Sequence, residues 1–210
     1  MRIRNVIFDK DKLFFTSDTH FFHKNIIKYC ERPFDSAEEM NEYLIAEWNK
    51  VVPEDGVVFH IGDVSLTAPP KALWDVLHRL NGTIYLVIGN HENDALGKDY
   101  NKQTWRGIYD IAEIFVKDPE ITYGEQHIVM CHYPMIVWNG SHRGSWNLFG
   151  HVHGGLSNKG VINHPANAMD VGVDSHNFRP ISYQEVKEQI TKQNLDGKGL
   201  KVTMPSHERA

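Results

Sequence analysis

Seven side chains able to offer an oxygen or nitrogen to a metal ion follow one another in a fixed order: Asp18 and His20, then Asp63, Asn90, His132, and finally His151 with His153. Carboxylate, amide and imidazole donors without thiolate suit divalent manganese, iron, zinc or magnesium; manganese is placed first, although the donor types alone do not choose. Two such ions sharing a carboxylate form a device for hydrolysing phosphate esters.

The spacing asks for particular elements. Residues 14–17 (Phe-Phe-Thr-Ser) read as the end of a buried strand. Strand side chains alternate, so an extension carried onward projects Asp18 and His20 to one side, and the same holds for His151 and His153 after the apolar run 147–149. The other donors also sit just past apolar runs: 57–61 before Asp63, 84–88 before Asn90, and 128–131 before His132. Five strand ends thus deliver chemistry to one edge, the layout of an α/β fold. Gly62, Gly89 and Gly150 each precede a donor or donor pair and let the backbone turn there.

Taken together, Asp18-Thr-His20, Gly62-Asp63, Gly89-Asn-His-Glu92, His132 and Gly150-His-Val-His153 resemble the five ordered motifs of the calcineurin-like metallophosphoesterase superfamily, in the manner of its small bacterial and phage-type members. The resemblance runs from Leu13 to about Ile190. It implies a four-layer αββα sandwich with two mixed β-sheets and a centre of two divalent ions. By the family pattern Asp18, His20 and His153 hold one ion, Asn90, His132 and His151 hold the other, and Asp63 bridges them. A bridging carboxylate keeps the two charges roughly 3.5–4 Å apart while offsetting part of their repulsion. A water between them ionises far more readily than bulk water, and that hydroxide is the expected nucleophile.

His91 stands next to Asn90 but outside the donor set, which makes it the candidate general acid, with Glu92 to orient it or raise its pKa. Leu66 occupies the position three residues after Asp63 where the protein serine/threonine phosphatase branch carries an acid. The arginine that marks that branch is missing too: residues 62–66 read Gly-Asp-Val-Ser-Leu. The segment 133–146 joins His132 to the last pair, so it is expected to pass near the metals. There His142 and Arg143 join Asn90 and His91 as candidate substrate-binding residues, and Trp138 or Trp146 either stacks on a base or fills the core.

Composition bounds the alternatives. The 210 residues are 41% hydrophobic and 23% charged, which fits one compact domain, expected over 1–193 with a tail over 194–210 that is disordered or awaits a partner. No apolar stretch approaches the roughly 20 residues that cross a bilayer, and the N-terminus lacks a secretory core, so a cytoplasmic location with no membrane partner is expected. Cys30 and Cys131 have no CxxC partner and read as buried thiols. A net charge of −5 disfavours broad nucleic-acid binding, leaving Lys98, Lys102 and Arg106 to build any track for a single strand. His60, His78, His127 and His164 read as structural or surface residues.

Helices are expected over 25–30, over 36–51 with a Ser36/Glu39 capping box, from Pro69-Pro70 to about 80, and over 182–193 with a second box at Ser182/Glu185. A loop or short helix is expected over 93–108. Strands are expected over 111–116, 120–123, 126–131 and 169–173, the second and third joined as a hairpin by Gly124-Glu125. The function these features point to is a phosphodiesterase acting on nucleotide-like or other small phosphodiesters. Its alternatives are a single-strand nuclease, a phosphomonoesterase, or a metal-bound scaffold for a protein partner.

Overall fold

The computed structural model describes residue 3 and residues 7–66, 68–92, 105–158 and 164–197. Among the described residues nine strands form two mixed sheets. In the first, β1 (Leu13–Thr16), β2 (Val57–His60), β3 (Thr83–Val87) and β4 (Gly107–Tyr109) run parallel, and β9 (Ile181–Ser182) adds antiparallel to β1, giving the order β4-β3-β2-β1-β9. In the second, β5 (Ala112–Lys117) is antiparallel to β6 (Glu125–Met130). The strands β7 (Trp146–Phe149) and β8 (Ala168–Asp170) continue parallel to β6, in the order β5-β6-β7-β8.

Alternation along β1 sorts its side chains into two cores. Leu13 and Phe15 face the second sheet with Phe59, Tyr85, Ile114, Ile128 and Leu148. Phe14 faces the other way, with Val58, Ile84 and Leu86, onto a helical layer. That layer comprises α1 (Lys24–Tyr29), α2 (Ala37–Val51) and α3 (Pro70–Leu77), which contribute Ile26, Met40, Leu44, Trp48, Leu73 and Val76. Being covered on both faces is why the parallel strands read as unbroken apolar runs. The outer face of the second sheet, Val129, Phe149 and Ala168, is covered by Trp138 and by partly buried Met135, Val152 and Leu156, the last from the one-turn helix α4 (Gly155–Asn158). The helix α5 (Tyr183–Leu195) sends Tyr183, Val186 and Ile190 into the core between the sheets. Two mixed sheets between helical layers are the αββα arrangement expected from the sequence, with its fourth layer the thinnest among the described residues.

Local chemistry sets the helix starts. Ser36 Oγ accepts from Glu39 N at 3.1 Å, but Glu39 reaches back to Asp35 N at 2.8 Å, one residue short of a closed box. At α5 the box is complete, Ser182 and Glu185 each accepting from the other's backbone. Residues 120–123 are not a strand. Asp118 accepts from Glu120 N at 3.1 Å, and turns closed by Ile121 N to Asp118 O and Gly124 N to Ile121 O make residues 118–124 the loop between β5 and β6. Strand β4 was not expected; three residues starting at a glycine carry almost no periodic signal. The expected element at 93–104, with Lys98 and Lys102, and most of the tail lie outside the described residues. Among the described residues no helix is long and apolar enough to cross a membrane.

Candidate metal centre

All seven donors lie just past the C-terminal ends of β1, β2, β3, β6 and β7, so the five strand ends meet as the sequence suggested. The backbone that aims them differs from expectation. Extension stops at the strand ends, and Asp18 (φ 58), His20 (φ 51), Asp63 (φ 57), His151 (φ 70) and His153 (φ 47) are all left-handed. Each such residue costs roughly 1–3 kcal/mol and persists only where its surroundings over-determine it. Here the first loop is laced to the second: Asp18 N donates to Gly62 O at 3.0 Å, His20 N to Asp63 O at 3.1 Å, and Phe21 N to Val64 O at 2.8 Å.

Two donor groups result. Ligand atoms of Asp18, His20 and His153 lie within 4.8 Å of one another, as do those of Asp63, His132 and His151. Asn90 joins the second group, its Oδ1 3.0 Å from His132 Nε2 and 2.9 Å from His151 Nδ1. Asp63 stands between the groups, with Oδ2 3.6 Å from His20 Nε2 and 3.4 Å from His132 Nε2. The fit to cations has its own sign: His20 Nε2 is fully buried with no hydrogen-bond partner, beside a carboxylate it does not reach. A buried polar atom left in that state is costly unless something accepts its lone pair.

Close approach at this edge requires glycine. A β-carbon on Gly150 would overlap Ser17 Oγ and come within 2.5 Å of Asp18 Oδ2; one on Gly89 would lie 2.7 Å from Glu92 Oε2 and collide with Asp63 Oδ1.

Burial drives the electrostatics. It pushes the Asp18 carboxyl up to about 7, with His153 and His132 pulling the other way. It pushes His20 down to about 2, which leaves a neutral imidazole with a free lone pair. For Asp63, burial pushes up, but the bond from His132 and the charges of His132 and His20 outweigh it and bring the group to about 2. His153, opposed by burial, is raised to about 10 by its bonds to Asp174 and Cys30 and by the charge of Asp18. Packing acids and imidazoles this tightly is stable when a divalent charge favours ionised carboxylates and neutral rings.

His91 lies at the rim of the cluster, with Nε2 3.8 Å from Asp63 Oδ2 and its backbone N donating to Asp63 Oδ1 at 3.1 Å. Glu92 does not orient it. The carboxylate of Glu92 is buried and accepts from Val64 N at 2.8 Å and Gly89 N at 2.5 Å, so it ties the Asp63 and Asn90 loops together.

His142 and Arg143 are brought elsewhere. Since β6 and β7 are parallel, the connection must return the length of the strand, and its far end reaches the opposite edge of the sheet. There Arg143 lines a separate cavity of about 420 Å³ with Glu125, Gln126 and His127, and its Nε donates to exposed His142. Trp138 and Trp146 are both core: Trp138 Nε1 donates to Ser145 Oγ at 3.0 Å, and Trp146 packs on Tyr183. His60 is an interior residue whose Nε2 lies 3.0 Å from Thr19 Oγ1, while its Nδ1 is buried without a hydrogen-bond partner among the described residues. The two thiols are half-buried rather than buried, and Cys30 lines the cleft described next.

A cleft of about 790 Å³ opens in front of the first donor group, lined by His20, His91 and His153 together with His23, Tyr29 and Glu31. Behind the donors stands Arg32, which the sequence did not single out. It is 4% exposed and donates to Asp18 O at 2.7 Å, Thr19 O at 3.0 Å and both oxygens of Asp174 at 2.7 and 2.8 Å. Asp174 in turn accepts from His153 Nδ1 at 2.7 Å, which fixes the orientation of the ring. Asp170 accepts from Gly154 N and Gly172 N, holding the turn after His153. No short word in the sequence marks these residues; only their types, acids and an arginine near donor motifs, are a signal.

A family model described as calcineurin-like phosphoesterase matches residues 12–199. An uncharacterized protein, MJ1445, from Methanocaldococcus jannaschii is 33% identical over 183 residues, which cover 86% of this chain and 92% of that protein. The gene 66 protein of Mycobacterium phage L5 is 24% identical over 159 residues, 66% of this chain and 76% of the phage protein. Among solved structures, AQ665 from Aquifex aeolicus, a protein of unknown function, matches with a TM-score of 0.62 at 24% identity, covering 84% of this chain and 98% of that one.

Proposed function

This chain belongs to the calcineurin-like phosphoesterase family, and we propose that within it the protein is a dinuclear phosphodiesterase acting on nucleotide-like or other small phosphodiesters. Membership makes it a metal-dependent phosphoester hydrolase. The finer reading rests on one observation: Asp18, His20 and His153 on one side and Asn90, His132 and His151 on the other share a single edge, with Asp63 near a histidine of each.

Asp18, His20 and His153 would hold one divalent ion and Asn90, His132 and His151 the other, with Asp63 offered to both. Ions held there supply polarisation of phosphoryl oxygens and an activated water at neutral pH. The chain's own residues do the rest. Asp174 holds the His153 ring in one orientation through Nδ1, and Glu92 holds the loops carrying Asp63 and Asn90. His91, tied to Asp63 through its backbone and lining the cleft, would give a proton to the departing ester oxygen.

The preference for diesters is supported by charge. Among the described residues lining the cleft there is no lysine or arginine, and Glu31 is one of them. A monoester dianion would meet little cationic help there beyond the metals, whereas a diester carries a single negative charge. The test is a panel of metals against monoesters, linear diesters, cyclic nucleotides and short single strands. Diester turnover well above monoester turnover, lost in Asp63→Asn, is the expected result. Monoester preference refutes the diester reading, and no turnover with any metal favours the scaffold alternative.

A further inference from the structure

Both tryptophans near the donors are committed to the interior, but two other rings are not. Tyr29 is 73% exposed on the wall of the cleft, beside His23 at a centroid distance of 6.4 Å. Tyr133 is 48% exposed and stands edge-on to His151 at 4.7 Å and to His132 at 5.3 Å. One ring therefore adjoins the half of the centre built on His20 and His153, and the other adjoins the half built on His132 and His151. A single exposed aromatic is ordinary. A pair placed on opposite halves of one donor cluster is not, and each has apolar company: Ile26, Leu66 and Val152 line the cleft with Tyr29, while Ile136 and Val137 are 59% and 47% exposed just beyond Tyr133.

A phosphodiester carries two organic groups that leave its phosphorus in different directions, so a site for one needs two places to receive them. We propose that Tyr29 and Tyr133 are those places. Each ring takes one organic group of the substrate, which is a dinucleoside monophosphate or a comparable diester with a planar ring on each ester. The inference rests on the phosphodiesterase reading and adds the substrate class. Stacking on tyrosine tolerates any base, because every base presents a π face, so the pair selects for rings rather than for a sequence.

The experiment compares wild type, Tyr29→Ala, Tyr29→Phe, Tyr133→Ala and Tyr133→Phe on thymidylyl-thymidine and on the methyl phosphodiester of thymidine. KM and kcat are measured, and binding is followed separately by line broadening of the thymine protons, which needs no turnover. Each alanine variant is expected to raise KM for the dinucleoside diester by roughly 5- to 100-fold, the scale of one lost stacking contact. Its kcat should stay within about twofold, and each phenylalanine variant should match wild type. On the methyl diester only one of the two alanine variants should matter. KM and line broadening unchanged in both alanine variants overturn this assignment and leave the hydrolase reading standing. Wild-type turnover confined to monoesters, with no thymine broadening, overturns both. Affinity that climbs with each nucleotide beyond the second also overturns it, since that would mean a strand-binding track.

Discussion

Replacing Arg32 with methionine removes the group that holds two donor loops from behind. The guanidinium bonds the carbonyls of Asp18 and Thr19, which flank left-handed backbone, and grips Asp174, the partner of His153. Arg32 is 4% exposed, and the Asp174 carboxyl, pushed up by burial, is brought to about 2 by the bonds from His153 and Arg32. Deleting one member of a buried pair strands the other charge and costs about 3–5 kcal/mol. In a chain of this length each kcal/mol moves the melting temperature by about 2–4 °C, so Arg32→Met should melt about 6–20 °C lower. The donors should also lose preorganisation, with manganese affinity falling roughly 10- to 100-fold. Calorimetric melting of metal-free protein and isothermal titration with manganese measure the two effects. Arg32→Lys keeps the charge but not the planar fork and should fall between. A melting shift under about 2 °C with unaltered manganese affinity would refute the claim that this residue holds the loops.

Two further predictions concern proton transfer and pH. His91→Ala should slow diesters with poor leaving groups by about 100-fold or more while barely affecting nitrophenyl esters and leaving metal content intact; equal losses on both would mean positioning rather than proton donation. Glu185, bonded by Arg179 and by Ser182, is held at about 2 against the ordinary 4.5. A carboxyl depressed by folding stabilises fully above its unfolded value and loses that contribution as pH falls through the folded one. Wild type should therefore lose stability relative to Glu185→Gln between pH 4.5 and about 2, measured by urea unfolding across pH; parallel curves would show the bond contributes nothing.

The convergence of the seven candidate donors was legible because such side chains leave short, distinctive words at strand ends, and the strands themselves because burial on both faces makes apolar runs. What sequence could not supply was direction. Alternation predicted that Asp18 and His20 project together from extended backbone, while the structure aims them by left-handed turns laced to the next loop. Proximity in sequence suggested that His142 and Arg143 lie near His132, but a parallel crossover has to travel back to the far edge before the next strand begins. For Trp138 and Trp146 the sequence left stacking on a base and filling the core both open; the structure puts both in the core, and tyrosines whose hydroxyls tolerate water stayed at the surface. Arg32 and Asp174 are 142 positions apart and belong to no periodic pattern, so their pairing is a property of the fold alone.

Diffraction from crystals grown with manganese, recorded at an energy where the metal scatters anomalously, tests the centre most directly. The account predicts two anomalous peaks roughly 3.5–4 Å apart. One should lie among Asp18, His20 and His153, the other among Asn90, His132 and His151, with Asp63 between. A single peak, or none at these residues, would contradict it.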